Sequence, residues 1–160
     1  MSRRQLMILL SLVMISVSAP SGRTGGASEE EVIFTVVFDY LFDHNGSGLQ
    51  NKAWAYYISI EGRDPCIRFF VCFANNRPLV KPKSDAILTP RRMGSEVSDR
   101  ITKHRGTMFD IKQCRWLSKH RVRVVATFYE ANLSSAGYEF VLERREGKWI
   151  VESVKGLWVS

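Results

Sequence analysis

The segment GYEFVLERREGKWIVESVKGLWVS, residues 137–160, decides how the rest of the chain is read. In its first half Tyr138, Phe140 and Leu142 alternate with Glu139, Val141 and Glu143. That period of two puts an apolar row on one face of a strand. Glu146-Gly147 interrupts the pattern, and glycine supplies the positive φ that a short hairpin turn requires. In the second half Ile150, Val154 and Trp158 share one parity, and Trp149 and Val151 share the other. Apolar residues on both faces predict a strand inside a sheet rather than at its edge. A lone hairpin is marginal in water, so more strands are expected upstream.

Two are legible there. Thr107–Leu117 reads as a strand, followed by a turn at Lys119-His120. Arg121–Ala131 follows, with Val122, Val124, Ala126 and Phe128 as its apolar row. With Asn132–Gly137 taken as a loop, the last third is a four-stranded antiparallel meander. Nearer the N-terminus, Ser28 with Glu31 three residues on forms a capping box, and Glu29, Glu30 and Glu31 suit the positive end of a helix. The predicted helix runs through VIFTVVFDYLFDH to a stop at Asn45-Gly46. Its stripe is Val32 or Ile33, Val36, Val37, Tyr40 and Leu41. The β-branched content lowers its intrinsic propensity, so packing across a sheet must hold it. A turn at 46–48 leads to the β-rich segment Trp54–Ile60. Asp64 as cap and Pro65 at the first position predict a second helix over CIRFFVCFA.

Residues 77–105 show no clear period. They hold Pro78, Pro82, Pro90 and Gly94, with eight Lys or Arg against three acids. The expectation is a long, basic, solvated loop, with a phosphate- or polyanion-binding loop as the alternative. No aromatic side chains are interleaved with the charges, as stacking on nucleic-acid bases would require.

The first 27 residues are expected to lie outside the domain. Arg3 and Arg4 precede the apolar run Leu6–Val17, too short to cross a bilayer, and small residues follow it. This reads as a secretory signal cleaved after Ala19 or Ala27, giving a secreted or periplasmic product with no stable membrane anchor. Residues 28–160 then form one domain. Loss of Arg3, Arg4 and Arg23 lowers the formal charge from +7 to +4, too mild to point to nucleic acid. Cys66, Cys72 and Cys114 have no CxxC spacing and predict no zinc site. They leave open a disulfide from Cys114 to Cys66 or Cys72, or buried free thiols.

Asp39, Asp43 and His44 form a polar cluster at the end of the first helix, read as a solvated face rather than a metal site. No phosphate loop, nucleophile elbow or repeat is present, and no cofactor is implied. Asn45-Gly46-Ser47 and Asn132-Leu133-Ser134 fit the glycosylation triplet.

The order helix, strand, helix, basic segment, then four long strands resembles the nuclear transport factor two-like superfamily, which includes ketosteroid isomerase-like proteins. The phrase Arg144-Arg145-Glu146-Gly147-Lys148-Trp149-Ile150-Val151 is similar to the last hairpin of many members. The helix ending FDYLFDHNGSG and the final Leu157–Ser160 resemble small secreted bacterial members of unassigned function. The resemblance implies an α+β cone: a curved antiparallel sheet of four or more strands wrapped around N-terminal helices, with a pocket. It does not by itself imply an activity.

Two functions follow as expectations. The first is non-enzymatic binding of a small apolar ligand or a partner, with Trp54, Tyr56, Phe128, Tyr129, Phe140 and Trp158 as pocket candidates. The second is an isomerase, dehydratase or cyclase-like enzyme, using Asp110 as pocket carboxylate and Tyr40 as hydroxyl donor. Asp110 shares strand parity with Met108, Lys112, Cys114 and Trp116. A homodimer formed through the open sheet face would expose residues such as Val125 and Val141.

Overall fold

A computed structural model of the chain describes residues 27–44, 49–92 and 94–160. The signal-like segment, the helix stop at Asn45-Gly46, the turn at 46–48 and the triplet at Asn45 lie outside the described residues. The fold is α+β. One α-helix, α1 (Glu29–His44), packs on a mixed, unclosed sheet of eight strands. Ser28 and Glu31 cap α1 reciprocally. The Glu31 amide donates to Ser28 Oγ at 3.1 Å and the Ser28 amide to Glu31 Oε2 at 2.7 Å. The buried face of α1 is wider than the predicted stripe, because Phe34, Phe38 and Phe42 add a second row beside Ile33, Val37 and Leu41. Among the described residues no helix is long and apolar enough to cross a membrane.

The strands are β1 (Ala55–Ile60), β2 (Leu79–Pro82), β3 (Ala86–Arg91), β4 (Gly94–Asp99), β5 (Gly106–Ser118), β6 (Arg121–Ala131), β7 (Ser134–Arg145) and β8 (Lys148–Val159). β5 to β8 form the expected antiparallel meander. Glu146 and Gly147 close its last turn with φ of 50° and 79°, as a two-residue hairpin demands. The loop expected over Asn132–Gly137 is shorter, since β7 begins at Ser134.

Among the described residues β8 pairs only with β7 and is an edge strand, against expectation. Its two apolar parities come from register shifts opposite Val141/Leu142 and Gly137/Tyr138. Each extra residue flips the side chains that follow. Trp149, Val151 and Val154 thus all reach the α1 face, although they do not share parity. A shift in β5 between Ile111 and Gln113 acts the same way. It puts Cys114 on the core face and separates it from Asp110.

Two further expectations are corrected. The second helix is a seven-residue 3₁₀ turn, Ile67–Phe73. Only Phe69 and Phe73 are buried, while Ile67 and Val71 are 86% and 74% exposed. The segment is short and rich in β-branched and aromatic residues, which hold an α-helix poorly. Asp64 does not cap it. Its Oδ1 accepts instead from the Ser84 amide at 3.0 Å.

Residues 77–105 are not a loop, since they carry β2, β3 and β4. β1 lies between β2 and β5 and is parallel to both. Pro82 and Pro90 sit on the edge strands β2 and β3, where a missing N–H costs least.

The hairpin β3–β4 joins the sheet through one residue pair, Glu96 with Ala131. Tyr56, Ile58, Phe109 and Phe128 point to the α1 core. Their neighbours Tyr57, Met108 and Tyr129 therefore point to the opposite face. There they meet Ala86 and Val97 of the hairpin in a second, smaller core. The sheet is thus covered by α1 on one face and by β3–β4 on the other.

Candidate functional site

The centre of the α1 face is filled by its own rings, and a pocket of about 340 Å3 lies at its edge, lined by Ala27, Glu29, Val32, Arg144, Gly147 and Trp149. Phe38 lies within 6.1–6.3 Å of Phe42, Phe69 and Phe73, ring centre to ring centre. Phe42 continues the packing to Tyr56 and Phe109. A cavity of about 80 Å3 remains between α1 and β7–β8, lined by Tyr40, Leu41, His44, Tyr138 and Val154. It is far below the 300–1,000 Å3 usual for a ligand pocket. Tyr40 packs there between the His44 ring at 4.1 Å and the Phe140 ring at 5.4 Å. Asp39, on the same helix, has its carboxyl raised above the usual range by burial and by Asp43. Among the described residues no group of three His, Cys, Asp or Glu is placed to hold a metal.

Asp110 and Tyr40 are not brought together. Asp110 alternates with Phe109 and Ile111, both in the α1 core, so it faces the other side of the sheet. It is paired there with Lys112 and accepts the Gly62 amide at 3.2 Å. A pocket acid beside a tyrosine hydroxyl is not assembled from this pair. The six aromatic pocket candidates also separate. Tyr56, Phe128 and Phe140 are buried in the α1 core. Tyr129 is on the opposite face, its hydroxyl donating to Ser95 O at 3.1 Å. Trp54 lies by Lys81 and His104. Trp158 covers Gly137, where a Cβ would fall 2.4 Å from Trp158 Nε1. Val125 and Val141 are half-buried on the outer face, near the pairing of Arg123 with Glu139. All three thiols are free, and burial pushes that of Cys114 up to about 11.

The face under β3–β4 is where polar groups gather. Asp99, 1% exposed, is its centre. Asp99 Oδ2 accepts from Tyr57 Oη and Lys81 Nζ, each at 2.8 Å. Asp99 Oδ1 accepts the amides of Ile101 and Thr102 at 3.0 and 2.8 Å. The Lys81 ammonium and these donors hold the Asp99 carboxyl far below the usual carboxylate range. Burial, and the bond to Asp99, push the Tyr57 phenol up. Glu96 is likewise buried, its carboxyl held low by Arg91 and then by Arg105. Both clusters are satisfied within the protein, and they fix the hairpin.

Beside them runs a groove of about 660 Å3. Ile87, Leu88 and Met108 give it an apolar wall, and Arg63, Lys83 and Arg100 give it positive charge. Arg100 Nε donates to Ser84 O at 2.8 Å and an Arg100 NH2 donates to Ala86 O at 3.3 Å. Its guanidinium is therefore fixed in place, with no carboxylate partner among the described residues. Lys83 has no ion pair among the described residues, whereas Arg63 has Glu61 at 3.4 Å. The sequence carried this site only as surplus basic charge in 77–105. The strand that carries Met108 and the segment before Arg63 are legible in the sequence, whereas β3, which supplies Ile87 and Leu88, is not.

No family model, curated protein or solved structure matches this chain.

Proposed function

We infer that the chain is an exported, non-catalytic binding domain built as a nuclear transport factor two-like cone. It engages a small ligand or partner through the groove beneath β3–β4 rather than through the cone. The observation that carries this reading is the contrast in free space. On the α1 side the cavity beside Tyr40 holds about 80 Å3 and the pocket at the start of the helix about 340 Å3. The groove has about 660 Å3 and two cations, Lys83 and Arg100, that form no ion pair among the described residues. The cone reading is supported by α1 crossing the sheet and by the hairpin phrase Arg144–Val151. The opposite placement of Asp110 and Tyr40 favours binding over the isomerase-like alternative.

Backbone amide shifts during a fragment screen test the reading. Shifts are expected at residues 62–64, 83–88, 100 and 108, and not at Tyr40, Tyr138 or Val154. Shifts converging on Tyr40 and Tyr138 would return the site to the cone and overturn it. Export is tested separately by the N-terminal sequence of the protein found outside the cytoplasm, expected to begin after Ala19 or Ala27.

A further inference from the structure

We propose that the groove beneath β3–β4 binds a small anionic amphiphile, its acidic head on Lys83 and Arg100 and its short apolar tail along Ile87, Leu88 and Met108. The proposal rests on the groove reading above and adds the ligand class. Three observations carry it.

The first is polarity along the groove. Ala86 pairs with Asp99 at the open end of the hairpin. Lys83 lies just before β3 and Arg100 just after β4, so both cations sit at that end. Arg63 follows β1 and joins them. Ile87 and Leu88 continue along β3 away from the charges, and Leu88 is 55% exposed. Such an arrangement matches a molecule with one charged end, not an evenly charged or wholly apolar one.

The second is charge balance. Among the described residues Asp64, whose Oδ1 accepts the Ser84 amide, is the one acid on the groove wall, against the three cations Arg63, Lys83 and Arg100. Arg63 is shared with exposed Glu61. Lys83 and Arg100 are left to meet an anion. Arg100 is pre-positioned by two carbonyl oxygens, so little ordering is lost when its remaining N–H groups engage a carboxylate or phosphate.

The third is size. About 660 Å3 suits a small molecule. An extended acidic peptide added to β3 would meet Pro90, which removes one backbone donor from that edge.

The test is calorimetric titration of the full chain with decanoate below its micellar concentration, beside decanol and decyltrimethylammonium. Saturable binding of decanoate alone is expected, weakening with salt. Lys83→Glu, at a side chain with no ion pair among the described residues, is expected to weaken it about tenfold or more. Leu88→Asn is expected to weaken it without changing the salt dependence. Equal binding of decanol, or decanoate binding untouched by both variants, overturns the proposal. So does binding of an acidic peptide with none of decanoate. If decanoate fails while amide shifts still map to residues 83–88, the ligand class is wrong and the groove stands. If the shifts map to Tyr40 and Tyr138, both fail.

Discussion

On the α1 side of the sheet Phe38, Phe42, Phe69, Phe73 and Phe109 meet ring against ring. On the hairpin side Tyr57, Lys81 and Asp99 are joined by hydrogen bonds instead. Both sides exclude water from their centres, but by different physics. The hydrophobic burial on the first side is non-directional and tolerates a shift of a few tenths of an ångström. A buried carboxylate tolerates little, because any donor that leaves exposes an unsolvated charge. The first side holds the domain together. The second holds one hairpin in one place, and so holds the shape of the groove.

Truncations should separate the two sides. Phe38→Ala is expected to cost about 3–5 kcal/mol in chemical denaturation, the range for a fully buried aromatic, with one cooperative transition. Asp99→Ala should cost less, roughly 2–3 kcal/mol. It should also raise hydrogen exchange in β3, β4 and the Ile101–Thr102 turn more than in β6 or β7. If exchange rose evenly throughout, the hairpin would not be a separately anchored unit.

Acid should act on the hairpin side first. The folded-state pKa of Asp99 is depressed, so its stabilisation is full above the unfolded carboxyl value and is lost as pH falls toward the folded one. The melting temperature should therefore drop as pH goes below about 4, and Asp99→Asn should flatten that drop. Glu96, also held low, leaves a residual slope in the variant. An unchanged acid profile would show that the Asp99 network does not govern acid stability.

Smaller effects sharpen the contrast. Ser28→Ala removes the cap of α1 and should cost about 1 kcal/mol by denaturation. Lys83→Glu, by contrast, should move stability by no more than about 0.5 kcal/mol. That would mark Lys83 as a residue the fold does not need.

The same contrast explains what the sequence reveals. Residues such as Val122, Val124, Ala126 and Phe128 announce themselves because apolar residues alternate with polar ones on a one-sided strand. β4 hides because Glu96, Val97, Ser98 and Asp99 are all buried, so polar residues fill places where periodicity looks for apolar ones. Partners from β1, β2, β3 and the Arg105 region make that burial tolerable. Bulges hid the rest. The extra residues in β5 and β8 broke the parity by which Asp110 was grouped with Cys114, and by which β8 was read as interior. The candidate site was accordingly visible as charge and not as shape.

The parallel placement of β1 between β2 and β5 bears on the time course of folding. β5 to β8 pair each with its chain neighbour across short turns, so each step closes a small loop. Ala55, by contrast, pairs with Gly106, and that contact must close about half a hundred residues. The C-terminal meander can therefore form early, and the N-terminal half condenses onto it. A chain emerging N-terminus first would hold α1 and β1 without their docking surface until the last strands were made. The domain could then commit to its native state only after β8 had been made.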